Sequence, residues 1–162
     1  MRVQYCSDLH LEFEQNSKYI ATNPLSVNGD ILVLAGDIVP LHDEFFSDSF
    51  FRFISNNYRQ VFWVPGNHEY YYKDISDYKS SFNIRIHGNI NIVSNIELMY
   101  EGVNFIFSTL WSRISPENEI EIMQRVSDFE CISKNKKKLR AGDFNLLHNE
   151  NLDFLKQSLV IR

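Results

Sequence analysis

The amino-acid sequence predicts an α/β fold built on a parallel sheet, and three observations carry that prediction. Three short apolar runs, RVQYCSD, DILVLAGD and QVFWVPGN, each end in polar residues, at Asp8, Asp37 and Asn67. Those ends lie 29 and 30 residues apart, near the length of a βαβ unit. Between the second and third runs, DEFFSDSFFRFISNNY sets Phe46, Phe50, Phe53, Ile54 and Tyr58 at helical spacing, the pattern of an amphipathic crossover helix.

Each element follows in order. Ile31 to Ala35 is an unbroken apolar stretch, as a strand covered on both faces requires. The first crossover, Leu11 to Gly29, is irregular and reads as loop with a short helix at most. Pro65 and Gly66 stop the third strand by ordinary turn chemistry. After Tyr72 the chain is β-rich, in IRIHGNINIV, IELMYE and VNFIFSTLW, with Glu101-Gly102 as a hairpin turn. In SPENEIEIMQRV, Ser115 is a helix N-cap with Pro116 at the first helical position. Asp143 caps a last helix with Leu147, Leu152, Leu155 and Leu159 along one side, and LVIR then reads as β-prone.

The chain has 162 residues, the size of a single domain over residues 1–162, since domains hold roughly 100–200 residues. Its 44% hydrophobic and 14% aromatic content excludes a disordered chain. A net charge of -5 argues against general nucleic-acid binding, because phosphate backbones attract basic surfaces. Two cysteines, Cys6 and Cys131, make no disulfide framework. No signal-peptide pattern follows Met1, and no apolar run nears the roughly 20 residues that span a bilayer. A cytoplasmic protein with no membrane contact is expected.

Parallel strands deliver their carboxyl ends to one edge, where ligands of open α/β sheets bind. Asp8, His10, Asp37 and Asn67 all fall at that edge. In SDLH, Asp8 and His10 are two apart and project to one side of an extended segment. Two carboxylates, an imidazole and an amide oxygen suit Mn²⁺, Fe or Zn²⁺ better than copper. Asp37 can bridge two such cations about 3.5–4 Å apart, a pair that clamps a phosphate and acidifies a water. His68 remains free for proton transfer.

In sequence, Asp8-Leu9-His10, Gly36-Asp37 and Gly66-Asn67-His68-Glu69, separated by 25 and 28 residues, resemble the motifs of the calcineurin-like metallophosphoesterases. STLWS, Ser108 to Ser112, is similar to a stretch in one uncharacterised bacterial branch. The resemblance covers Met1 to about Leu159. It implies a four-layer α/β/β/α sandwich with two divalent metal ions and hydrolysis of a phosphate mono- or diester. By this resemblance Asp8 and His10 bind the first metal, Asp37 bridges both, and Asn67 binds the second. His68 is then the catalytic acid for the leaving group, and Glu69 orients His68 or its loop.

The family's later Thr-His and Gly-His-x-His motifs do not occur in this sequence, so four of seven ligand residues are present. The resemblance therefore implies a domain truncated after about residue 160. It also implies an exposed apolar face, covered by self-association or by a partner. The rival reading is a catalytically incomplete fragment or a non-enzymatic interaction module of the same fold.

Other candidates have blander roles. His42 reads as a helix-start or surface residue within reach of substrate, His87 as structural before a turn, and His148 as part of a helix. Cys6 is a core thiol. KNKKKLR, Lys134 to Arg140, is a solvated loop or, alternatively, a phosphate-steering patch. Trp111 and Tyr70 to Tyr72 are packing residues, with the tyrosines near enough to His68 to line a site.

Overall fold

The computed structural model describes residues 1–159. The central sheet has five strands in the order β1-β2-β3-β5-β4. These are β1 (Val3–Cys6), β2 (Ile31–Ala35), β3 (Gln60–Val64), β4 (Phe82–His87) and β5 (Ile90–Ser94). β1, β2, β3 and β5 are mutually parallel, and β4 returns antiparallel on the β5 edge. All three predicted strands are thus present, and they are adjacent.

Register decides which side chains share a face. Leu32, Leu34, Val61, Trp63, Ile90 and Ile92 point to one side and pack beneath two crossover helices. The first, α1 (Glu14–Thr22), has no buried residue, consistent with its weak sequence pattern. The second, α2 (Ser49–Asn57), buries Phe50, Phe51 and Ile54.

The predicted helix over this region is divided in two. A 3₁₀ turn spans Asp43–Ser47, and Asp48 then caps α2 by accepting from Phe50 N at 2.7 Å. The buried phenylalanines are accordingly Phe50 and Phe51, whereas Phe46 and Phe53 only pack on the rim. Phe51 stacks on Trp63 with ring centroids 5.4 Å apart.

On the opposite face a two-stranded hairpin, β6 (Ile96–Tyr100) and β7 (Val103–Phe107), covers part of the sheet. Its turn is Glu101-Gly102, both in left-handed conformation, which matches the twist of a tight hairpin. Phe62 sits under it, against Tyr100, Phe105 and Phe107. Coverage stops short of β1. Val3 and Tyr5 share this face, in register with Ile31 and Val33, and are 45% and 79% exposed.

The remainder is helical apart from one small hairpin. Ser115 opens a 3₁₀ turn, Pro116–Asn118, which leads into α3 (Glu119–Arg125). A short α4 (Asp128–Cys131) precedes the hairpin of β8 (Ser133–Lys134) and β9 (Lys137–Lys138). The last helix, α5 (Ala141–Leu159), begins two residues before the predicted cap, so Asp143 lies inside it. Its carboxylate reaches back to Arg140 N at 3.2 Å. The buried line of α5 is Ala141, Phe144 and Asn151; Leu147 packs at the rim and Leu159 is exposed. The β-prone reading of LVIR falls on Val160 to Arg162, outside the described residues. Among the described residues no helix is long and apolar enough to cross a membrane.

Contrast between the two ends of one sheet face gives a direct test. Phe62→Ala should lose about 3–5 kcal/mol in urea denaturation, as for other buried aromatics. Tyr5→Ser should change stability by no more than about 0.5 kcal/mol, as an exposed substitution does.

Candidate metal centre at the strand tips

The loops after β2 and β3 meet around one buried carboxyl group, and the loop after β1 is hydrogen-bonded to the loop after β2. Glu69 is fully buried in a 3₁₀ turn, His68–Tyr70, just past β3. Its Oε2 accepts from Asp37 N (2.9 Å) and Gly66 N (2.7 Å), and its Oε1 from Ile38 N (2.8 Å) and Trp63 Nε1 (2.9 Å). Burial pushes its pKa up to about 7, while the N–H groups of Ile38 and Asp37 pull the other way. Among the described residues four donors and no acceptor meet its oxygens, so the carboxylate is the form this cage fits. Glu69 thus braces the loops after β2 and β3 against each other.

Two glycines let the loops touch. A Cβ on Gly36 would lie 2.9 Å from Gly66 Cα, and Gly36 has φ +90°. A Cβ on Gly66 would lie 2.1 Å from Asp37 Oδ1. A larger residue at 36 would push the Gly66 backbone, and one at 66 would push the Asp37 carboxylate out of place.

The backbone at the predicted ligands is unusual. Asp8, His10 and Asp37 have φ of 56°, 45° and 58°, in the left-handed region that side chains other than Gly, Asn and Asp seldom adopt. Backbone bonds from Asp8 N to Gly36 O, His10 N to Asp37 O and Leu11 N to Ile38 O tie the first loop to the second. Side-chain donor atoms of Asp8, His10 and Asp37 thereby lie within 4.8 Å of one another. They do not converge by the extended alternation expected of SDLH; left-handed kinks bring them together.

A second cluster shares His10. Glu12 Oε1 lies 3.2 Å from His10 Nδ1 and 3.4 Å from His68 Nδ1, and Glu12 Oε2 is buried without a hydrogen-bond partner among the described residues. The His68 ring is held on two sides. His10 meets it edge-on, with centroids 4.4 Å apart, and Tyr71 stacks on it at 4.1 Å. Asn67 Nδ2 donates to Asp128 Oδ1 at 2.7 Å, and Tyr71 Oη donates to the same oxygen at 2.8 Å.

Comparison with known proteins identifies the family and the fold. The family description "Calcineurin-like phosphoesterase" matches residues 1–158. The chain belongs to the calcineurin-like phosphoesterases. An uncharacterized protein of Acanthamoeba polyphaga mimivirus is 34% identical over 178 aligned residues, which cover 98% of this chain and 63% of the viral protein. A crystal structure of phosphopantetheinyl hydrolase from Mycobacterium tuberculosis has a TM-score of 0.55 at 15% identity, over 99% of this chain and 64% of that one. The last similarity shows a common fold. This chain spans less than two thirds of the length of either protein.

Membership of the calcineurin-like phosphoesterases implies divalent metals, and the donor set fits them. Carboxylates and imidazoles converge, and the orphaned Glu12 Oε2 adds a buried acceptor beside two rings. Glu12 and Asp128 are not among the predicted site residues. Glu12 extends the every-other-residue pattern Asp8, His10, Glu12, which could have found it. Asp128 lies 61 residues from Asn67, and no local pattern signals it.

The lesser candidates separate clearly. Of the three tyrosines only Tyr71 lines His68; Tyr70 is buried against Trp111 and Tyr78, and Tyr72 is 76% exposed. His42 contacts Tyr71 O at 3.4 Å, and His148 holds Trp111 O at 2.6 Å. His87 is exposed at the end of β4. Cys6 is half-buried, and burial raises its thiol pKa to about 11. In the lysine run, Lys134 pairs with Asp143 and Lys138 with Glu130. That spends two of the charges on local carboxylates.

Replacing Glu69 by Gln puts an NH₂ group among N–H donors. Glu69→Gln should lose about 3 kcal/mol or more in denaturant unfolding, from donors left buried and unpaired.

Proposed function

We propose that this chain is a divalent-metal-dependent phosphoesterase that hydrolyses phosphate mono- or diesters. The observation that carries the reading is the convergence of Asp8, His10 and Asp37 at the carboxyl edge of a parallel sheet. In this reading Asp8, His10 and Asp37 would hold a cation, and Asp37 with the Asn67 amide oxygen would help hold a second. Mn²⁺, Fe and Zn²⁺ suit such donors. When bound, the cations supply positive charge for phosphate oxygens and acidify a water.

The chain's own groups do the rest. Glu12 faces Nδ1 of both His10 and His68, which fixes their tautomers and leaves each Nε2 for other work. In its doubly protonated form, with Nδ1–H on Glu12, His68 would give its Nε2 proton to the departing ester oxygen. Its ring cannot swing freely between His10 and Tyr71. An open groove of about 390 Å³, lined by Asn67, Thr109, Leu110, Arg113 and Val126 among others, gives the leaving group a place beside the centre. The free thiols of Cys6 and Cys131 support a cytoplasmic location.

Hydrolysis of p-nitrophenyl phosphate and its bis ester, with each cation in turn, tests the reading. Metal-stimulated turnover should appear, fall at least about 100-fold in Asp37→Asn, and fall about 10²–10⁴-fold in His68→Asn. Turnover that ignores chelator and the Asp37 variant would overturn it. A second copy covering the exposed Val3 and Tyr5 face is the self-association that this reading expects. Sedimentation velocity that shows only monomer at high concentration would sink that part.

A further inference from the structure

We infer that Asp128 is a positioning residue for both halves of the strand-tip site, fixing the Asn67 amide directly and the His68 ring through Tyr71. The inference rests on the metal-centre reading above and goes beyond it. Asp128 begins α4, far along the chain from the motifs, yet it is only 3% exposed. Its Oδ1 receives two hydrogen bonds, from Asn67 Nδ2 at 2.7 Å and from Tyr71 Oη at 2.8 Å. A buried carboxylate is costly unless it is bonded, and these are its side-chain donors.

The first bond selects an orientation. An amide side chain can present either oxygen or nitrogen at a given place, since the two ends have nearly the same shape. With a carboxylate at 2.7 Å, only the NH₂ end can face Asp128; a half-turn would set oxygen against oxygen. The Asn67 oxygen is thereby turned away from Asp128 and kept as an acceptor, the one end of an amide that binds a cation.

The second bond works through a ring. Tyr71 lies nearly parallel to His68, with an interplanar angle of 22°, and its far end is anchored on Asp128. Burial raises the Tyr71 hydroxyl pKa, and Asp128 raises it further, so the phenol remains a donor. One carboxylate thus aligns a ligand and a proton donor that are adjacent in sequence but differ in direction.

A purely structural staple would give the same contacts, so the test needs a readout that a staple does not move. Mn²⁺ affinity of the full chain is measured by calorimetry for the wild type, Asp128→Asn and Tyr71→Phe. An amide introduced at position 128 can offer either end to Asn67, so the preference is lost at nearly constant shape. Affinity should fall about 10–100-fold in Asp128→Asn, the range for outer partners of metal ligands. In Tyr71→Phe it should stay within twofold, while kcat falls about tenfold.

Should Asp128→Asn not fold, the wild type alone can still overturn the inference. In nitrogen-15 NMR of the cation-free protein, the Asn67 side-chain NH₂ should exchange slowly with water. Exchange as fast as that of an exposed asparagine overturns the inference. Equal affinity in wild type and Asp128→Asn also overturns it while leaving the metal centre intact. A wild type that takes up no cation overturns the metal-centre reading and this inference together.

Discussion

The strand-tip region depends on one buried carboxylate. Glu69 receives N–H groups from the loop after β2, from the loop after β3 and from a core indole. The loop after β2 and the end of β3 with its loop are therefore fixed to a single point. Trp63 belongs to both worlds: its ring stacks on Phe51 in the helix-side core, and its Nε1 feeds Glu69. Packing of the hydrophobic core and placement of the polar loops are thus one problem. Disturbing either should be felt in the other.

Around that anchor the loops adopt conformations that they would not choose alone. Left-handed backbone at three non-glycine residues costs of order 1–3 kcal/mol each in general, less for aspartate, which tolerates it. Such strain persists only where surroundings over-determine it. Here they do: Asp8 N and His10 N are bonded to Gly36 O and Asp37 O, and Asp37 N is bonded to Glu69. Close contact of Gly36 with Gly66 completes the clamp. The imidazoles are then set by aromatic neighbours and by Glu12, without any call on the sheet.

Much of this is legible in the sequence, for identifiable reasons. The strands show because Ile31 to Ala35 is apolar on both faces, and their polar ends mark the edge. The Glu101-Gly102 hairpin shows because a two-residue turn has a strict composition. The split of the crossover helix does not, because Asp48 competes as a cap inside a helical pattern and rotates Phe51 into the core. The buried line along α5 departs from the leucine pattern because Asn151 is buried by polar contacts, donating to Asn95 Oδ1 and giving Trp111 N an acceptor. Hydrophobic periodicity cannot see a stripe that is held by amides. Asp128 escapes for a related reason: its partners are brought to it by tertiary folding alone.

The left-handed residues have a meaning for how this chain tolerates change. At Asp8 and His10, glycine would adopt the observed backbone with no steric penalty, and asparagine with little. In the proposed metal centre the side chains at positions 8 and 10 would serve the cation and not the backbone. In a library screened only for solubility, positions 8 and 10 should therefore fill with glycine and asparagine, while positions 36, 66 and 69 should not move.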